Sequence, residues 1–364
     1  MMKSITHPTL LLDETICRSN IKGMADKAEK HNLAFKPHMK THQSAEIGQW
    51  LAEVGVTAIT VSSLKMARYF ADHGWDDITI AFPCNTRAIP QIDELASKIN
   101  LTLLVNDTTT AQKLGKKLSH AVQVYIELDT GSDRTGLQVN QIAMIQQLIS
   151  VLNNTKHLRW QGFYSHPGHS YDARSKEEIR EIHQSVVEQC KQLRSALSEA
   201  EPFEICIGDT PCCSVAATYD NIDAISPGNF VFYDLMQAQI GSCQTSDIAV
   251  AMACPVVDKY PQREQLVIHG GAVHFSKESM SRGPSMHYGL VAERDNDHWN
   301  VPSEPSYLAQ LSQEHGIIQC STQDLEKYQI GDILPILPVH SCLTANLMKS
   351  YQLISGGKIT QLPT

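Results

Sequence analysis

Two short stretches of this 364-residue chain put chemistry-bearing side chains at close spacing. In "KPHMKTHQ", residues 36–43, Lys40 stands between His38 and His42, just after the apolar run "NLAF". If the backbone stays extended there, alternate side chains share a face, and the three converge as an amine flanked by two imidazoles, a candidate nucleophile and base. The competing reading is a solvated basic loop. Near the other end, "LPILPVHSC" sets His340 and Cys342 two residues apart. On a strand both side chains point one way and can share one Zn2+, the thiolate selecting zinc over magnesium or manganese. Two protein ligands are too few for a closed structural zinc but suit an open one completed by water or a substrate hydroxyl. The alternative is a core cysteine beside an unrelated histidine.

Two glycine-containing loops add a third chemistry. "GDTP" (208–211) and "SPGN" (226–229) combine Gly208 and Gly228, where backbone can approach a ligand closely, with the donors of Thr210 and Asn229. Such a pair suits a phosphate, although the same residues also make ordinary turns. A phosphate on one side of a site and a lysine on the other suit a phosphorylated aldehyde held as a Schiff base, which is the arrangement pyridoxal phosphate requires. Arg134 in "DTGSDRTG" is placed to hydrogen-bond a ring hydroxyl or a substrate carboxylate, or to make an exposed salt bridge.

The elements that would position these residues are legible as a rhythm. Runs rich in Val, Ile, Leu and Thr begin near Leu33, Thr57, Ile78, Leu101, Val122, Leu158, Phe203 and Ile222, and segments with helical spacing lie between them. Ser44, Ser62, Thr108 and Ser175 each precede a helical pattern as a capping residue. Eight such units close an α/β (β/α)8 TIM-like barrel; a doubly wound open sheet is the competing fold. The barrel is preferred because Lys40, "DTGSDR", "SHPGHSY", "GDTP" and "SPGN" follow strands one, five, six, seven and eight, the rim where barrels carry their chemistry. After about residue 240 strand-like segments follow one another without a long helix. The expected division is a barrel over 13–238 and a mostly β domain formed by 1–12 and 239–364, which carries His340 and Cys342.

Bulk properties narrow the partners. A net charge of −9 with both signs dispersed offers no basic stripe for nucleic acid and no polybasic patch for a membrane, which leaves a small molecule. The apolar run "TLLL" near the start is too brief for a signal-peptide core or a membrane span, and ten cysteines without a CxxC pair suit reduced thiols, so a cytoplasmic location is expected.

Taken together, "KPHMKTH", "DTGSDRTGL", "SHPGHSY", "GDTP", "SPGNFVFYD" and "PVHSC" resemble the fold-type III pyridoxal-phosphate enzymes, nearest to the D-serine dehydratase-like and D-threonine aldolase-like proteins, relatives of alanine racemase. The resemblance runs nearly end to end. It implies that Lys40 forms the Schiff base and that Arg134 and Tyr171 face the cofactor. His166 and Tyr233 join the cofactor set, the phosphate lies on Gly208, Asp209, Thr210, Gly228 and Asn229, and the metal lies on His340 and Cys342. It also implies a homodimer with the active site between the barrel of one chain and the β domain of the other. Three residues depart from the family pattern: Lys36 where arginine is usual, Gln43 where lysine is usual, and Asp209 where a small neutral residue is common. A carboxylate beside a phosphate is repulsive unless it points away.

The same resemblance orders the reactions. Aldolases of this family carry H-x-D and dehydratases H-x-C, so Cys342 favours metal-assisted β-elimination from a D-3-hydroxy amino acid to a 2-oxo acid and ammonia. Retro-aldol cleavage comes next. Racemisation follows, since it needs a second base that is not identifiable in the sequence. A non-catalytic pyridoxal-phosphate carrier comes last, because such relatives lack the second domain.

Overall fold

The computed structural model describes residues 4–283, 285–295 and 298–363. The chain forms two compact units, one of residues 23–40 and 48–228, the other of the described residues of 1–22, 41–47 and 229–364. The crossings therefore fall at 22/23, 40/41, 47/48 and 228/229, where the sequence reading placed them at 12/13 and 238/239. Residues 41–47 join the second unit because its backbone claims them: Leu362 N–H donates to Gln43 O at 2.7 Å and the Tyr351 hydroxyl to His42 O at 2.8 Å.

The first unit is built on eight parallel strands: Ala34–Phe35, Ile59–Val61, Asp77–Pro83, Asn100–Leu104, Val122–Asp129, Leu158–Ser165, Glu204–Ile207 and Ala224–Ile225. Each pairs with its chain neighbour from the second strand round to the eighth, and the eighth pairs with the first. The first strand meets the second only through the single bridge His38–Thr60, supported by Met39 N–H to Thr60 O at 2.8 Å and Thr60 N–H to Pro37 O at 2.9 Å. That bridge closes the ring at the residues leading into Lys40. Parallel strands buried on both faces need covering helices, which explains their unbroken apolar runs. Ile145, Leu148, Ile149 and Leu152 bury one stripe of the helix Ile142–Asn153, each worth roughly 1.5–3 kcal/mol. Three helices are capped by Ser63, Asp107 and Ser175. The caps expected at Ser62 and Thr108 each shift by one residue, because the capping oxygen must reach an amide three positions on.

The barrel interior holds Leu104, Tyr125, Tyr164, Cys206 and Ala224. Lys36 is buried among them rather than solvated: Nζ donates to Tyr125 Oη at 2.8 Å and pairs with Glu204 at 2.7 Å. From Tyr164 a chain of hydroxyls runs to Ser226 (3.1 Å) and on to Thr60 (3.1 Å), which donates to Lys36 O.

The second unit is mostly antiparallel. Six strands, Gln265–His269, His315–Gln319, Tyr307–Leu311, Gly289–Val291, Ile333–Pro338 and Val250–Tyr260, pair in that order, and the last returns to the first, so they form a closed ring. Thr9–Leu12 adds to Val250–Tyr260 in antiparallel register, and Ser350–Leu353 and Lys358–Thr360 extend the sheet from there. The N-terminal segment "HPTLLLD" thus takes the place expected for it. Among the described residues no helix is long and apolar enough to cross a membrane.

Candidate active site

Within the barrel unit, Lys40 lies on a turn, Met39–His42, not on an extended strand. Alternation therefore does not hold, and His38, Lys40 and His42 do not line up as three teeth of one comb. His38 is buried and its Nδ1 accepts the Lys40 N–H at 3.2 Å, so it shapes the turn that presents the exposed lysine. His42 belongs to the other unit and is fully buried, its Nδ1 accepting the Ser44 N–H at 3.1 Å. Burial pushes its pKa down to about 3, so it is neutral at ordinary pH.

The histidine that keeps company with Lys40 is His166, at the end of the sixth strand. Its Nδ1–H donates to Gly208 O at 2.7 Å, which leaves the lone pair on Nε2. Burial, then the positive charges of Lys40 and Arg134, push its pKa down to about 3. Arg134 is exposed at the end of the loop 129–134, whose first turn is fixed by Asp129 Oδ1 accepting from the amides of Gly131, Ser132 and Asp133 at 2.9–3.2 Å. The Tyr171 ring lies 6.0 Å from that of His166, and its hydroxyl accepts the Thr210 N–H at 3.2 Å. Sequence-predicted Lys40, Arg134, His166 and Tyr171 are thus gathered with the "GDTP" loop in one unit.

That loop has the features of an anion cradle. A Cβ on Gly208 would stand 2.2 Å from Tyr164 Oη, so only glycine fits. Thr210 Oγ1 is buried and, among the described residues, has no hydrogen-bond partner. A buried hydroxyl without a partner is costly unless a ligand satisfies it. The Asp209 carboxylate, the departure from the family pattern, is turned into the protein: Oδ2 accepts the Cys212 N–H and the Ser170 hydroxyl, both at 2.7 Å, and caps the helix Thr210–Val215. Burial pushes its pKa up against those hydrogen bonds. The residues of this loop fit the phosphate of pyridoxal phosphate.

In the second unit, His340 and Cys342 meet by a route other than the one expected. The strand Ile333–Pro338 ends before them; His340 is the N-cap of the helix Ser341–Met348 and Cys342 lies in its first turn. Burial opposes protonation of His340, but the hydrogen bond and charge of the Cys342 sulfur outweigh it, with Asp234 and Glu278 adding, and its pKa rises to about 9. A ring nitrogen and a sulfur held against each other form a donor pair of the kind zinc takes, with room for other ligands. Around Cys342 Sγ lie Thr41 Oγ1 at 3.3 Å and Asn229 Nδ2 at 3.5 Å.

The Asn229 side-chain amide, expected at the phosphate, is engaged in this cluster. Nδ2 donates to Asp234 Oδ2 at 2.7 Å and to Ser341 Oγ at 3.2 Å. Asp234, buried and unremarked in the sequence, organises the whole cluster, accepting also from Ser341 and from Gln237 N–H at 3.0 Å. An aspartate three residues ahead of Gln237 at the start of "LMQAQ" was its available signal, as an N-cap. Tyr233, just before it, holds φ +49°, a left-handed backbone that only a firmly determined loop keeps. Lys40 is joined by a peptide bond to Thr41 and Gly228 to Asn229, so the two residue groups are successive in the chain at both places.

The chain is similar to known proteins along nearly its whole length. Residues 249–354 match the family model "Putative serine dehydratase domain" and residues 13–235 the model "Alanine racemase, N-terminal domain". The D-serine dehydratase of Dictyostelium discoideum is 27% identical, the alignment covering 98% of this chain and 95% of that protein. The D-threo-3-hydroxyaspartate dehydratase of Delftia sp. (strain HT23) is 26% identical over 96% of this chain and 94% of its own length. The solved structure of that dehydratase superposes with a TM-score of 0.91 at 24% identity, covering 100% of this chain and 99% of that one, and one similar structure is its cysteine-to-alanine variant in the metal-free form. With an eight-stranded barrel, a lysine after the first strand and a model match over 13–235, this chain belongs to the family of the alanine racemase N-terminal domain.

Proposed function

We propose that this chain is a pyridoxal-phosphate-dependent, zinc-assisted lyase that removes water from a D-3-hydroxy amino acid, D-serine or a relative of it, to give a 2-oxo acid and ammonia. The observation that carries the reading is the Cys342 sulfur beside His340, a soft donor where hydroxyl departure is to be assisted. Dehydratases among its relatives, aligned along nearly the whole chain, support the same substrate class.

Lys40 would carry the cofactor, with Gly208 and Thr210 at its phosphate and Arg134, His166 and Tyr171 around it. When bound, pyridoxal phosphate supplies an electron sink for the charge that develops at the substrate Cα. When bound to His340 and Cys342, zinc supplies Lewis acidity to the departing hydroxyl. The chain's own parts are proton management and positioning. Lys40 Nζ takes the Cα proton. His166, kept neutral by burial and by its cationic neighbours, offers Nε2 as an acceptor and adds no positive charge to the pair Lys40 and Arg134. Asp234 holds the Ser341 turn so that His340 and Cys342 keep one geometry.

A homodimer belongs to the same proposal. Val273, Leu343 and Leu347 leave large apolar side chains exposed on two helices that pack together, Ala272–Phe275 and Ser341–Met348, and a second copy would cover them. So does a cytoplasmic location, supported by ten cysteines none of which joins a disulfide, eight of them buried.

The test is product analysis with D-serine, D-threonine and D-threo-3-hydroxyaspartate, with and without chelator. Chelator-sensitive 2-oxo acid is the expected result. Glycine and aldehyde as the main products of D-threonine would replace elimination by retro-aldol cleavage. Borohydride reduction and peptide mapping should place the pyridoxyl group on Lys40, and label on another lysine would remove that assignment.

A further inference from the structure

Among the described residues, one group of three ligating side chains comes together away from His340 and Cys342: His269, His274 and Glu314, whose ligand atoms all lie within 4.8 Å of one another. They come from three segments of the second unit. His269 ends the strand Gln265–His269, His274 lies on the helix Ala272–Phe275, and Glu314 sits in the turn before His315–Gln319. Glu314 Oε2 is 3.6 Å from His269 Nε2 and 3.9 Å from His274 Nε2, and the two rings stand nearly perpendicular with centroids 5.7 Å apart. Zinc bonds of about 2.0–2.2 Å at tetrahedral angles put ligand atoms about 3.3 Å apart, so the two edges to Glu314 need close by about 0.3 and 0.6 Å, and the edge between the two imidazoles starts from within 4.8 Å.

The backbone beneath them is locked. His269 pairs in register with His315, Gly270 N–H donates to Glu314 O at 2.9 Å, and Ala272 N–H to Ser312 O at 2.8 Å. A Cβ on Gly271 would lie 2.2 Å from Gln313 O, so the close approach of the helix to the turn depends on glycine. We propose that His269, His274 and Glu314 form a second divalent-metal site, taking Zn2+ or a similar borderline transition metal with water in the remaining position, and that the metal braces the 270–276 segment against the 312–315 turn.

Two imidazoles and one carboxylate are a donor set of three that leaves one tetrahedral position open. Burial lowers the pKa of His274 against the charge of Glu314. Ligation has one cost. His274 Nδ1 accepts the Gly271 N–H at 3.1 Å, and with Nε2 on a metal the ring proton moves to Nδ1, so that hydrogen bond is given up. The site is therefore the weaker of the two and fills after the one bearing the thiolate. Its reach is longer than its size: Thr344, on the helix that carries Cys342, donates to Phe275 O at 3.2 Å, so a braced 270–276 segment also steadies that helix.

The experiment is a Co2+ titration of metal-stripped, cofactor-loaded full-length protein, followed by absorption. The Glu314→Gln and His269→Ala variants should each bind one metal fewer per chain than the parent. A Cys342→Ala variant should keep one metal whose spectrum lacks the thiolate-to-metal charge-transfer band, and Zn2+ should raise its melting temperature but not that of Cys342→Ala combined with Glu314→Gln. Equal stoichiometry in the parent and Glu314→Gln, or no metal bound by Cys342→Ala, would overturn the proposal. A parent protein that binds metal without any thiolate-type band would count against the catalytic metal instead, so the two failures are distinguishable.

Discussion

Ser341 donates twice to one oxygen of Asp234: its backbone N–H at 3.0 Å and its hydroxyl at 3.2 Å both end on Oδ2. Asn229 Nδ2 reaches the same oxygen at 2.7 Å, so a single buried carboxylate holds the loop that places His340 ahead of its helix and Cys342 inside it. Replacing Asp234 by alanine strands several buried donors, each worth about 1–3 kcal/mol. Asp234→Ala should lose about 3 kcal/mol in urea unfolding and most of its zinc by metal analysis, and unchanged metal content would show that the turn is held by other contacts.

Thr210 separates binding from folding by sign. Its Oγ1 is buried without a partner among the described residues, so Thr210→Val, nearly equal in volume, should leave stability unchanged or raise it. If the hydroxyl serves a phosphate, pyridoxal phosphate should bind about tenfold more weakly, roughly 1.4 kcal/mol, while pyridoxal without phosphate is unaffected. Equal weakening of both ligands would exclude that role.

Gly208 tolerates no side chain because Tyr164 Oη occupies the space. Gly208→Ala should cost about 1–3 kcal/mol. Adding Tyr164→Phe removes the nearest atom but leaves Cζ at 2.9 Å, so the double variant should recover part of that loss. Additive effects in the four-member cycle would show that the clash lies elsewhere.

His42 predicts an acid limit to stability. Burial lowers its folded-state pKa to about 3 from 6.5, so the unfolded chain binds the proton more readily. The stabilising contribution is complete above pH 6.5 and is lost as pH falls from there toward 3, at up to about 1.4 kcal/mol per unit. In His42→Asn the side-chain oxygen can still accept the Ser44 N–H but does not titrate, so its stability should fall less steeply between pH 6 and 4 by about one proton. Parallel curves for the two proteins would remove His42 as the titrating group.

Much of this molecule was legible in its sequence because the signals are local. Eight alternations of apolar strand and amphipathic helix are a periodicity, and periodicity survives without tertiary context. The barrel, the β-rich end, the loops after strands five to eight and the pairing of His340 with Cys342 all rest on patterns a few residues long. The H-x-C pair even survived a wrong premise about its backbone. Side chains two apart share a face on a strand, but here they meet because the strand stops and a capped helix begins.

What needed the folded chain were relationships between residues distant in sequence. Three teeth in "KPHMKTH" required an extended backbone, and the turn at 39–42 gave Lys40 the company of His166 instead. Thr41 against Cys342, Asp234 against Ser341 and His269 against Glu314 bridge 301, 107 and 45 positions, separations at which no spacing rule operates. Local propensity can state which residues are able to act, since that depends on side-chain chemistry and short-range backbone geometry. Which of them act together is decided by packing, because burial and the closure of two sheets on themselves bring those atoms within a bond's reach.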